Sequence, residues 1–206
     1  MKEKLAGKFI VLDGPDGSGK TAQTLMLYDW LKEQGIDTVT FRDPGSTAVG
    51  EKIREILLNP LHAEISVRTE LLLYMASRAQ LWAEKIAPAL NAKKCVLLDR
   101  WLTSTCAYQG FAGEFGAKRV VDIAEASLDR VWPDLTIVLD VDVETAAKRM
   151  DRALDRMEQK GADYHKKVRE GFLLLSKFND NIAIVDATRN IEQVHQAVIN
   201  AVRQIQ

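Results

Sequence analysis

Residues 9 to 21, FIVLDGPDGSGKT, run an apolar, β-branched segment directly into a glycine-rich loop. The run is short for a helix, and its unbroken hydrophobicity suits a strand covered on both faces. From Lys20 to Gln34 the spacing of apolar residues is helical, and it stops at Gly35, where a glycine commonly ends a helix. Strand, loop and helix in that order call for a parallel sheet joined by crossover helices.

The alternation recurs along the chain. TVTF (38–41), CVLL (95–98), LTIVLDV (135–141) and IAIVDA (182–187) read as strands, each followed by a helical stretch. Val67 to Asn91 reads as one long apolar-periodic helix with Pro88 near its end, and a last helix starts at about Ile191. The expected fold is an α/β class, three-layer α/β/α arrangement on a five-stranded parallel sheet, forming a single domain over residues 1–206. On such a sheet ligands bind at the carboxyl ends of the strands. A polar insertion at about 148–165, within RMDRALDRMEQKGADYHKK, interrupts the pattern, as mobile or functional segments do.

Bulk properties remove several classes of function. A net charge of -1 gives no general attraction for nucleic acid or an acidic membrane. The sequence has no bilayer-length apolar run, and MKEKLAGK at the start lacks a signal-peptide core, so a cytoplasmic location is expected. Cys95 and Cys106 lack the paired spacing of a zinc site and read as packing residues. His62, His165 and His195 lie far apart in polar surroundings and read as surface positions.

The loop Gly14, Pro15, Asp16, Gly17, Ser18, Gly19, Lys20, Thr21 fits G-x-x-x-x-G-K-[ST], the phosphate-binding P-loop. Its amides and the following helix N-terminus would surround donor phosphates, with Lys20 on the terminal ones and the Thr21 hydroxyl facing Mg²⁺. CVLLDR delivers Asp99 to the same sheet edge, where its carboxylate would hold Mg²⁺ directly or through water.

Three arginines converge on that edge: Arg42 after the second strand, Arg78 in the long helix, and Arg100 next to Asp99. Each alone reads as a surface ion-pair partner. Together they suggest a second phosphate pocket, because guanidinium binds phosphate bidentately and stays charged. The insertion adds Arg149, Arg152 and Arg156 at spacings of three and four. On a helix they would share a face, relieved either by Asp151, Asp155 and Glu158 or by a bound anion.

These residues resemble the thymidylate kinase family of P-loop NTPases over nearly the whole chain. The resemblance rests on FIVLDGPDGSGKTAQ, FRDPGST, GEKIREILL, LLLYMASRAQLWAEKIAPAL, CVLLDRW, STCAYQG, PDLTIVLDV and LDRMEQ, all in the family's order. It implies transfer of the γ-phosphate of ATP to dTMP, with Mg²⁺, in dTTP synthesis. It also implies Asp16 at the acceptor 3′-hydroxyl, Arg42 and Arg100 on the acceptor phosphate, and Tyr74 stacked on thymine. Arg78 would reach the base and phosphate region. Thr105, Tyr108 and Gln109 would read the pyrimidine edge and crowd the sugar 2′ position. Arg149 and the insertion look like a lid over the donor, with Arg149 against adenine. One group of the family carries an arginine after the P-loop acid; Gly17 stands there, so Arg152 and Arg156 become the transition-state candidates, as in the bacterial-type arrangement. The family's habit of pairing implies a homodimer, with no nucleic acid or membrane partner. Asp43, Ser46, Ala22, Trp101 and Thr105 depart from its usual pattern.

Two other readings compete with this one. A deoxynucleoside kinase would need a carboxylate base and fewer acceptor arginines, and a catalytically silent regulatory protein would not need Lys20, Thr21 and Asp99 together. A GTPase is disfavoured because no N-K-x-D stretch is present.

Overall fold

The computed structural model describes residues 1–151 and 153–205. Its five strands are β1 (Phe9–Asp13), β2 (Thr38–Arg42), β3 (Cys95–Asp99), β4 (Leu135–Asp140) and β5 (Ile182–Asp186). They form one sheet in the order β2-β3-β1-β4-β5, with every neighbouring pair parallel. Each expected strand is present, and the sheet is the five-stranded parallel one that the apolar runs call for.

The helices are α1 (Lys2–Leu5), α2 (Lys20–Glu33), α3 (Ala48–Leu58), α4 (Val67–Leu81), α5 (Ala87–Asn91), α6 (Leu102–Thr105), α7 (Ala117–Ser127), α8 (Val143–Arg149), α9 (Ala162–Leu175) and α10 (Ile191–Arg203). The long helix expected over 67–91 is broken in character: a π-helical turn, Trp82–Ile86, joins α4 to α5. Pro88, in the first turn of α5, lacks the N–H that a regular ladder would use there. A second π-helical segment, Cys106–Ala112, extends α6.

Alternation of side chains along the strands divides the interior in two. Ile10, Leu12, Leu97, Ile137 and Leu139 meet Leu27 and Leu31 of α2 and Val194, Val198 and Val202 of α10. On the opposite face Phe9, Val11, Val96 and Leu98 meet Leu71, Leu81, Val120 and Ala124 of α4 and α7, together with Ile86. Truncating any of these fully buried leucines would cost about 2–5 kcal/mol. A third cluster seats the 106–112 segment on α9 through Ala107, Tyr108, Val168 and Phe172. Trp101 lies fully buried, edge-on to Phe9 at 5.3 Å, and its indole donates to the Val131 carbonyl at 2.8 Å. Cys95 and Cys106 are buried free thiols. Among the described residues no helix is long and apolar enough to cross a membrane.

Register places the chemistry at one edge. Leu12 of β1 and Arg42 of β2 both pair with Asp99 of β3, so Asp13, Arg42, Asp99 and Arg100 emerge side by side at the carboxyl ends.

Candidate active site

Above that edge lies a cavity of about 550 Å³. One end is formed by the P-loop residues Asp16, Gly17, Gly19, Lys20 and Thr21 with Asp99. The other holds Arg42, Asp43, Arg54, Tyr74, Arg78, Arg100, Thr105, Tyr108 and Gln109, and Arg149, Met150 and Asp151 complete the wall.

The P-loop's shape follows from its glycines. Gly17 has φ 75, and a Cβ placed there would lie 2.5 Å from the Ala146 carbonyl oxygen of α8. No side chain fits. Asp13, fully buried beneath the loop, accepts from the Gly14 and Ser104 amides at 2.9 Å each and from the Ser104 hydroxyl. Burial pushes its carboxyl above the usual range despite Arg100 nearby. Lys20 is buried and donates to the Pro15 carbonyl at 2.6 Å. Desolvation, reinforced by Arg100, lowers its ammonium pKa to about 8. Gly14, Pro15 and Ser18 build the loop from behind, since they are buried and stand off the cavity wall.

Thr21 donates its hydroxyl to Asp99 Oδ2 at 2.9 Å. The two residues thought suited to Mg²⁺ are therefore already adjacent, one hydroxyl and one carboxylate, which are the hard oxygen donors that this ion prefers.

Arg100 has φ 68, a left-handed conformation that costs a non-glycine residue about 1–2 kcal/mol. The turn aims its guanidinium at the Gly14 carbonyl (3.0 Å), the Ser104 hydroxyl (2.8 Å) and the Asp16 carboxylate. Tyr108 donates to the other oxygen of Asp16 at 2.7 Å. Burial alone would raise the Asp16 pKa, but Arg100 and Lys20 outweigh it and hold the carboxyl below its ordinary value.

The remaining arginines are engaged differently. Arg42 is exposed and bonded to Glu51 at 2.9 Å. Arg78 is 1% exposed, donating through Nε to Asp43 at 2.8 Å and through a terminal nitrogen to Thr105 at 2.9 Å, with its guanidinium 5.1 Å over Trp101. Asp43, one of the positions that depart from the family's usual pattern, is the acid paired with it. Tyr74 is half-buried on the cavity wall, with its phenol pKa raised first by desolvation and then by Glu70.

Arg149 and Arg156 do not share one helix. Helix α8 ends at Arg149, and Arg156 lies in a turn. Arg149 lines the cavity and bonds the Ala187 carbonyl at 2.9 Å. Arg156 is buried, held by Glu70 at 2.6 Å and by the Leu57 carbonyl at 2.7 Å. Arg152 lies outside the described residues. Of the acids named beside this group, Asp155 accepts from the Met157 and Glu158 amides and Glu158 accepts from the Asp155 amide, so both shape the turn. His62 and His165 are half-buried, and His195 reaches Gln23 at 3.2 Å, so surface position describes them incompletely.

Sequence reasoning missed Asp13, Arg54, Glu70 and Lys160. Asp13 was legible, since a strand-end Asp immediately before the first P-loop glycine is well placed to anchor the turn. Arg54, which donates to the Pro44 carbonyl at 3.0 Å, carried no signal beyond a helical surface charge.

A P-loop on a parallel sheet in the order 2-3-1-4-5, opening into one cavity with a second cationic end, defines a P-loop nucleotide kinase. The thymidylate kinase family model matches residues 12–198. Thymidylate kinase of Geobacillus sp. (strain WCH70) is 40% identical over 203 residues, covering 96% of this chain and 97% of its own. That of Caldanaerobacter subterraneus subsp. tengcongensis is 42% identical, covering 97% of each. The crystal structure of thymidylate kinase from Ehrlichia chaffeensis superimposes with a TM-score of 0.78 at 29% identity, covering 97% of this chain and 100% of that one. The chain belongs to the thymidylate kinase family.

Proposed function

We propose that the protein transfers the γ-phosphate of ATP to dTMP, giving dTDP and ADP. The observation that carries this reading is a single cavity with the P-loop and Lys20 at one end and Arg42, Arg54, Arg78 and Arg100 at the other. Two anionic substrates can meet there head to head. An oxygen of the dTMP phosphate attacks the γ-phosphorus, the bond to the β,γ-bridging oxygen breaks, and ADP leaves with that electron pair. The nucleophile is already an anion, so alignment and charge neutralisation suffice without a general base.

Lys20 and the P-loop amides hold the donor phosphates, and Arg149 lies against the adenine end. Arg100 and Arg42 hold the acceptor phosphate. Tyr74 stacks on the base, Arg78, Thr105 and Gln109 surround its edge, and Asp16 and Tyr108 address the sugar. Thr21 and Asp99 would hold Mg²⁺, which neutralises charge on the transferring phosphates when bound. The segment between α8 and α9 acts as a lid that excludes water. Arg156, held by Glu70, would need to turn toward the donor to act on the transferring group; Arg152 is the other candidate.

The protein acts in the cytoplasm as a homodimer, in which exposed Leu72 of α4 and Val49 and Ile56 of α3 are covered by the second copy. Sedimentation equilibrium tests that state directly. The activity test is ADP release with ATP and Mg²⁺ in the presence of dTMP, dUMP, thymidine or no acceptor. Stimulation by dTMP is expected. Stimulation by thymidine alone would instead mark a nucleoside kinase, and no response to any acceptor would mark a silent nucleotide-binding protein.

A further inference from the structure

Glu70 sits in the first turn of α4, 1% exposed, directly behind Gln109 on the cavity wall. Its Oε1 accepts from Gln109 Nε2 at 2.7 Å, its Oε2 from Arg156 at 2.6 Å, and Lys160 lies 3.4 Å from both oxygens. Lys160 also reaches the Tyr164 hydroxyl at 3.4 Å, and Tyr164 donates to the Tyr108 carbonyl at 2.8 Å. One buried carboxylate thus joins α4, the cavity wall and the segment between α8 and α9.

An ionised carboxylate only accepts hydrogen bonds, whereas a primary amide has a donating end and an accepting end. Gln109 must therefore turn its nitrogen to Glu70. Its carbonyl oxygen is left for the cavity. An acceptor fixed at that place suits a pyrimidine with a ring N–H, as in thymine or uracil, and opposes cytosine, whose N3 is itself an acceptor. Leaving such a group unpaired is what makes hydrogen-bond discrimination strong.

We infer that Glu70 is a positioning residue that fixes the polarity of the Gln109 amide and thereby selects bases with an N3–H against cytosine. The inference rests on the dTMP kinase reading. Glu70→Gln supplies the test, because a glutamine at 70 can donate as well as accept and releases the Gln109 amide to flip. The ratio of kcat/KM for dTMP over dCMP is expected to fall about tenfold or more. The ratio for dTMP over dUMP, which share the N3–H, stays at its wild-type value. Glu70→Asp keeps the buried charge for Arg156 and Lys160 while withdrawing the acceptor from Gln109, so it guards against a folding failure and is expected to show an intermediate loss. An unchanged dTMP-to-dCMP ratio in both variants, with normal wild-type turnover, overturns the role of Glu70 alone. An equal fall in both ratios marks general damage to the pocket and also overturns it. Absence of dTMP-stimulated ADP release from the wild type overturns the kinase reading, and this inference with it.

Discussion

Tyr108 donates its phenol to Asp16 at 2.7 Å, so the side chain proposed to exclude a ribose 2′-hydroxyl also orients the carboxylate proposed to meet the 3′-hydroxyl. Sugar reading is shared between the two. Tyr108→Phe keeps the ring and loses the bond, and a net hydrogen bond of about 1 kcal/mol predicts a rise in KM for dTMP of about fivefold with little change in kcat. Tyr108→Ala should in addition lower the preference for deoxyribose over ribose. Steady-state kinetics with dTMP and its ribonucleotide counterpart checks both.

Arg100 ties Asp16 to the Gly14 carbonyl and the Ser104 hydroxyl, linking the cationic end of the cavity to the P-loop. Arg100→Ala should reduce kcat/KM about 10²–10³-fold, the range expected when a preorganised charge is removed from a transferring group. The variant should remain folded by circular dichroism, because alanine keeps the same Cβ and the backbone bonds of Arg100 to Leu12 and of Asp43 to Asp99 remain. Normal turnover with normal acceptor affinity would remove Arg100 from the mechanism.

Lys20 begins near pH 8 because its ammonium is desolvated and faces Arg100. Bound phosphates favour the charged form and push that value up again. Below pH 7 the lysine is already charged in the free protein, so little proton exchange accompanies binding. Near and above pH 8 part of it is neutral, and ATP binding should take up a fraction of a proton. Calorimetry in buffers of different ionisation enthalpy measures this uptake, and Lys20→Met should abolish it.

Gly17→Ala should destabilise the fold by about 3 kcal/mol, combining a left-handed backbone with a contact against the Ala146 carbonyl. Urea unfolding monitored by tryptophan fluorescence checks the figure. A variant as stable as the wild type would mean that α8 yields easily. The same contact leaves no room for a longer side chain directly after Asp16.

Much of this architecture could be read from residues alone, for identifiable reasons. Short apolar runs specify a doubly covered sheet, and FIVLD, CVLL and LTIVLD carry that pattern in the three inner strands, which bury both faces, while the edge strands β2 and β5 are partly exposed. The P-loop is legible because glycine spacing and Lys20-Thr21 are local. What sequence does not carry is pairing across distance. Arg78 was expected at the base and phosphate, and it does line the cavity, yet its charge is spent on Asp43. Arg156 was weighed against nearby acids and found its partner in Glu70 on α4. The π-helical turns at 82–86 and 106–112 were equally hidden, because an added residue per turn leaves no distinct periodicity in so short a segment.

Asp99 and Arg100 are consecutive, yet one faces Thr21 and the other Asp16, because the positive φ of Arg100 turns the chain between them. The carboxylate proposed to hold Mg²⁺ and the guanidinium proposed to hold the acceptor phosphate therefore spring from backbone positions one peptide unit apart, about 3.8 Å between Cα atoms. That unit is anchored in the sheet by the Arg100 amide bonding to Leu12 and by Asp43 bonding to the Asp99 carbonyl, both at 2.9 Å. Its position is fixed relative to both neighbouring strands. In the proposed reaction, closure of the surrounding segments would bring charge or exclude water, while the roots of these two side chains stay at a spacing set by covalent geometry.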